Sequence, residues 1–200
     1  MKNAIKYSKK GIVMVTLFTT LLSFANENSF FNIKNDAKKT ALTLKSVKEG
    51  NQLSIIDNNG IILYREIIEK TGNYNKEFNL TSLPDGAYIF ELDKDLEINT
   101  IPFNIKSNII LFEKEKEKTI FKPLIRVKDD MVYVSKLSFN EQPLKIEIYF
   151  TGSNGSELMF TETIENTKVI ERIFKLDGLK FGSYKLVFHG EGREFIKYVN

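Results

Sequence analysis

The sequence predicts an all-β protein: two tandem antiparallel β-sandwich modules behind a short N-terminal leader. Three observations carry that expectation. Short runs of alternating apolar residues recur at roughly 8–12-residue spacing between turn-forming residues. No long stretch beyond residue 25 has the helical period. An eleven-residue pattern, F-x-L-x-x-L-x-x-G-x-Y, occurs twice at an offset of 96 residues, each time with an Asn-Gly pair upstream.

The leader comes first. Residues 1–10 carry four lysines and no acid, and residues 11–25 carry no charge. A spanning helix needs about 20 apolar residues, so this core fits a signal peptide instead. Ser23-Phe24-Ala25 places small residues at a cleavage site, and the chain turns polar at Asn26-Glu27-Asn28. Cleavage would remove four of the 29 basic residues and none of the 26 acidic ones. The mature chain then stands one charge negative and has no transmembrane segment. Such a balance offers no footprint for nucleic acid. The chain has no Cys, which excludes disulfides, thiolate nucleophiles and a lipidated N-terminal Cys.

The first module is expected over residues 26–112, with strands at 40–47, 51–57, 61–68, 74–80, 86–93 and 97–105. Residues 26–39, around Phe30-Phe31, read equally as a first edge strand or a loose arm. The second module is expected over 119–200, with strands at 122–128, 131–139, 143–151, 156–164, 168–176, 182–189 and 193–199. Between the modules, the charged run 113–118 reads as a solvated linker or hairpin tip. Apolar residues on both sides of it, Ile109 to Phe112 and Ile120-Phe121, imply flanking strands.

The repeated pattern assigns roles. Phe78, Leu80, Leu83, Gly86 and Tyr88 match Phe174, Leu176, Leu179, Gly182 and Tyr184. After each tyrosine the apolar residues alternate, as on one face of a half-buried strand. The leucine pairs would plug the end of each core. Gly86 and Gly182 stand where the chain turns into that strand, a place that calls for positive φ. Asn59-Gly60 and Asn154-Gly155 read as hairpin turns. A tyrosine just past such a corner resembles the tyrosine corner of Greek-key sandwiches, whose hydroxyl bonds backbone a few residues upstream. The modules are therefore expected to be Ig-like or fibronectin III-like.

The run from Leu53 to Leu92 resembles the C-terminal sorting domains of type IX secretion cargo, which are Ig-like β-sandwiches of Bacteroidota. Residues 143–200 resemble a more divergent copy. The architecture as a whole is similar to small secreted proteins of that group built only of such modules. The resemblance implies an exported location. It also raises an alternative role, in which the C-terminal module is a sorting signal.

Chemistry is sparse. His189 is the only histidine, with no nucleophile signature near it, and reads as an ordinary strand-end residue. Asp57, Asp93, Asp95, Asp129 and Asp130 fall at turns, and none has EF-hand spacing. No phosphate-cradling glycine motif is present, and Gly190-x-Gly192 lies in a hairpin. The 16 Phe and 8 Tyr sit mostly at core-predicting positions, and Trp is absent. That weakens a further alternative, a carbohydrate-binding module. Asn79-Leu80-Thr81 and Asn154-Gly155-Ser156 match the glycosylation acceptor pattern loosely. No catalytic, metal or cofactor site is expected. The reading is a non-enzymatic binding or structural module of the cell envelope: periplasm, cell surface or outside. It would meet another envelope protein through a sheet edge or a surface patch.

Overall fold

The computed structural model describes residues 29–36, 39–153 and 155–200. The leader expected over 1–25 and Asn154 of the second turn dipeptide lie outside the described residues.

The first module begins with β1 (Phe31–Asp36), β2 (Lys39–Val47), β3 (Gln52–Asp57), β4 (Ile62–Ile67) and β5 (Gly72–Phe78). It continues with β6 (Gly86–Asp93), β7 (Glu97–Lys106), β8 (Ile109–Phe112) and β9 (Lys118–Phe121). The second holds β10 (Leu124–Lys128), β11 (Met131–Leu137), β12 (Leu144–Gly152), β13 (Gly155–Ile164), β14 (Val169–Lys175), β15 (Ser183–Gly190) and β16 (Arg193–Val199). All pairings are antiparallel. In each module one sheet has three strands, β1-β2-β5 or β10-β11-β14. The facing sheet has the order β4-β3-β6-β7 or β13-β12-β15-β16. The two modules thus share one seven-stranded frame of the Ig-like and fibronectin III-like kind, to which the first adds β8 and β9 on β7, making its larger sheet six-stranded.

Period-two alternation places the cores. Leu53, Ile55, Phe90, Leu92, Ile101 and Phe103 face Leu42, Leu44 and Phe31 in the first module. Ile146, Ile148, Leu186 and Phe188 face Val132, Val134 and Ile170 in the second. Burying a side chain such as Phe90 stabilises by about 2–3 kcal/mol, so these rows dominate the energetics. Leu80 and Leu176 are buried, and Leu83 and Leu179 pack against the two cores. The β3 and β12 pairings to their neighbours carry a bulge at matching places, after Ile55 and after Ile148.

The turn at 58–61 shows why its residues suit it. Asp57 Oδ1 accepts the N–H groups of Asn59 and Ile61 at 2.9 and 2.8 Å, and Gly60 takes φ +80°. In the second hairpin Gly152 pairs with Gly155, which takes φ +105°. Tyr88 Oη donates to the carbonyl of Pro84 at 2.7 Å. Tyr184 Oη donates to the carbonyl of Asp177 at 2.5 Å.

Two expectations need correction. Gly86 and Gly182 do not take the left-handed φ expected of them; Gly182 is extended, at φ 177°. Gly182 is required for space: a Cβ there would sit 2.3 Å from the Thr151 carbonyl oxygen and 2.6 Å from the Phe150 ring. At Gly86 a Cβ would meet only Tyr88, at ordinary contact distance. The second correction concerns the boundary. Residues 119–121 do not start the second module; with Lys118 they form β9, which pairs with Glu97–Thr100 of β7. β8 pairs with Phe103–Lys106 of the same strand. The two lie end to end on one edge, and the charged run bulges out between them. Pro102 gives the reason: its carbonyl accepts the Glu113 N–H at 2.9 Å, but it has no N–H to return. The inter-module linker is then Lys122-Pro123 alone.

Replacing Gly182 by Ala should cost the second module about 2 kcal/mol or more through overpacking, while Gly86→Ala stays near neutral in the first. Tyr88→Phe should cost the first module about 1 kcal/mol by freeing the Pro84 carbonyl. Denaturant unfolding of the full chain reads all three. Equal effects of the two glycine substitutions would refute the close-approach argument.

Candidate functional site

The open sides of a sandwich are where backbone and core are both vulnerable. Between β4 and β5, Glu66 pairs with Lys76, and Tyr64 also donates to Glu66. The Tyr64 and Phe78 rings meet edge to face at 5.2 Å. The same four positions recur 96 residues on. Arg172 grips Glu162 through Nη2 at 2.6 Å and Nε at 2.9 Å, and Phe160 meets Phe174 at 5.3 Å. Both carboxylates sit on strand positions opposite core residues, Leu53 and Ile146. Inward-pointing charge at an edge disfavours addition of a foreign strand. Arg172 holds the Glu162 carboxyl below the usual carboxylate range, against burial. Burial opposes ionisation of Glu66, but the bonds from Lys76 and Tyr64 outweigh it and lower its pKa as well.

The other side differs between modules. In the first, β8 and β9 take the edge and side chains tie them to β1 and β7. Asn35 Nδ2 donates to the Ile110 carbonyl at 3.2 Å, and Glu117 accepts the Phe30 N–H at 2.8 Å. Glu113 accepts from Asn104, and Asn99 Nδ2 donates to Thr119 at 2.9 Å. The charged run therefore anchors β1 and β7 instead of serving only as a spacer. In the second module β16 has no neighbour beyond it among the described residues. Its Lys197 lies opposite the core residue Leu186, where the first module places buried Ile101 opposite Phe90. Lys197 thus guards this edge.

The outward faces of the three-stranded sheets also differ. In the first module Thr43 bonds Asn75 at 2.7 Å and Lys39 pairs with Glu77 at 2.8 Å. In the second, Tyr133 lies opposite Ile173 and Leu137 opposite Val169, all exposed; Ile173 is 61% exposed. Ala41 and Glu77 occupy the places of Tyr133 and Ile173. Arg126 is Tyr133's neighbour on β10 and, with Lys128, lines the same shallow concavity of about 800 Å³.

At the junction a groove of about 760 Å³ is lined by Phe30, Phe121, Phe139, Lys118, Asn140 and Glu191, among others. Phe121 and Phe139 cross it edge to face at 5.4 Å. Arg193 reaches over to Glu91 with both terminal nitrogens, Nη1 at 3.4 Å from Oε1. Sequence reading found neither partner, because nothing local links residues 102 positions apart.

The residues weighed for chemistry are dispersed. His189 Nε2 lies 3.1 Å from Glu147 and Nδ1 3.6 Å from Glu194, on the outward face of the four-stranded sheet. Asp57 holds its turn, Asp93 pairs with Lys122, Asp95 with Lys48 at 3.2 Å and Asp130 with Lys175 at 3.8 Å. Among the described residues no His, Asp and Glu converge as a metal-holding group, and no helix is long and apolar enough to cross a membrane.

These features define a tandem β-sandwich protein with unlike surfaces on like frames. No protein-family model matches the chain, and no curated protein matches it. Among solved structures it is similar to the BSP domain of a biofilm associated protein, at 13% identity and TM-score 0.25, over 84% of this chain. It covers only 28% of that chain. It is also similar to the human OSCAR ligand-binding domain, at 6% identity and TM-score 0.25, over 85% of this chain and 96% of the other. At these scores the fold assignment rests on strand order and register.

Lys197→Ile should convert β16 into a pairing edge, and sedimentation should then show concentration-dependent association absent from the parent. A monomeric variant would mean that Lys197 is not the guard. Glu162 contributes stability that is present above the ordinary carboxylate pKa and lost as pH falls through its lowered folded value. The pair is about a third exposed, so the contribution is below about 1 kcal/mol. Arg172→Met should flatten that acid limb of the unfolding profile; an unchanged limb would remove the pair from the account.

Proposed function

We propose that this is an exported, non-enzymatic binding or structural module of the cell envelope, working through a surface patch of its second module. The observation that carries the reading is the divergence of the two copies. Tyr133, Ile173 and Val169 stand exposed where the first copy holds Ala41, Glu77 and Asn73. The frame folds without large apolar side chains at those places, so they are not there for stability. Clustered exposed apolar side chains mark interaction sites. The guarded edges, Glu66/Lys76, Glu162/Arg172 and Lys197, favour a face over an edge as the route of contact. The charged-then-apolar leader supports export.

The test is capture by crosslinking in intact cells, followed by separation of periplasm, membrane and medium. The parent should recover a defined envelope partner, and Tyr133→Ser with Ile173→Glu should lose it while unfolding as the parent does. Equal capture by the double variant, or none by the parent, would contradict the proposal.

A further inference from the structure

We propose that the β15–β16 turn is an electrostatic latch, in which Arg193, backed by the Lys136–Glu191 pair, grips Glu91 and holds the two modules at one angle over the groove between them. Three features of the junction lead there. The tether is short: β9 ends at Phe121 and β10 begins at Leu124, leaving only Lys122 and Pro123. It keeps the modules adjacent, and Lys122 is itself held to the first module, its N–H on the Leu96 carbonyl at 2.9 Å and its ammonium on Asp93. Beside it the Phe121 and Phe139 rings meet edge to face at 5.4 Å. The polar contact lies on the Gly190–Arg193 turn, on other strands than the tether, and supplies the second fixed point that an angle requires.

The latch is built on both sides. Glu91 is only 7% exposed, on the outward face of β6 in a row with buried Ser54 and Thr100. A carboxylate so placed needs its cation, and a two-pronged guanidinium matches it in geometry as well as charge. On the second module, Lys136 is 4% exposed and pairs with Glu191 at 2.8 Å. Its Nζ also donates to the Leu137 carbonyl at 3.2 Å. That pair pins the turn from beneath, two residues before Arg193, so Arg193 is presented from a fixed base. The first module's equivalent turn makes no such reach. There Lys94 pairs with Glu97 within the turn at 2.8 Å, and its Nζ lies over the Phe30 ring at 4.1 Å. The reaching arginine is thus particular to the second copy. Glu191 and Phe139 also line the groove, so releasing the latch would change its width.

The absence of cysteine makes the test clean. Spin labels on Lys45→Cys and Lys128→Cys, one on each module and both exposed, report the inter-module distance in the otherwise intact chain. The parent should give one narrow distance. Arg193→Ala and Glu91→Gln should each broaden it severalfold, while the unfolding transitions of both modules remain. Arg193 lies outside both cores, so its loss should not unfold the second module. A narrow distribution retained in Arg193→Ala, or a parent already as broad as that variant, would overturn the latch.

Discussion

In each module a three-stranded sheet and its larger partner each have one apolar face and no other element to cover it. Every other feature of this protein follows from keeping those two faces together. Burial of Phe90, Phe103, Phe188 and their neighbours supplies the energy, at about 2–3 kcal/mol for each large side chain. The polar closures supply far less, about 1 kcal/mol or below for each ion pair or corner bond. Their role is selective. The corner bonds of Tyr88 and Tyr184 tie a crossing segment to the sheet it enters. The inward Glu–Lys and Glu–Arg pairs close the side between β4 and β5, and between β13 and β14, against a foreign strand.

Once the frame is fixed, the two copies are free to differ on the outside. The first copy ties its β7 side to itself, although Ile61, Leu63, Ile109 and Leu111 remain exposed on this copy. β8 and β9 cover β7, the bulged charged run reaches back to β1, and the three-stranded sheet is polar on its outer face. The second copy leaves β16 uncovered and guards it with Lys197, and it carries apolar groups on β11 and β14. The division is between a module that ties one side to itself and one that presents a surface. Arg193 then links the two, so that the presented surface has a defined direction relative to the first module.

Much of the frame was legible in the sequence, because alternation and the 96-residue offset both report backbone geometry. Strand runs such as 86–93 and 193–199 coincide with the observed elements. The tyrosines could be placed at corners from their position after the Gly-x-Tyr turn. Other features were not legible, for separable reasons. Gly182 signalled a special position, but a sequence does not distinguish positive φ from lack of space. The run 113–118 looked like a linker because its charge alternates; the contrary signal was Pro102, which forces the neighbouring strand to break. The repeat of Glu66/Lys76 as Glu162/Arg172 was visible in the letters, but its meaning required knowing that β4 and β5 face one another from different sheets. The Arg193–Glu91 contact joins separate modules and leaves no local trace.

The most direct measurement of the central claim uses one copy as the control for the other. A photo-crosslinking amino acid would be placed at Tyr133 or Ile173 of the second module, and at the matching Ala41 or Glu77 of the first. Each variant would be irradiated in intact cells. Crosslinks to one partner from positions 133 and 173, with none from 41 and 77, are the predicted result. Crosslinks from the first module's face alone, or equally from both, would contradict the assignment of the working surface to the second copy.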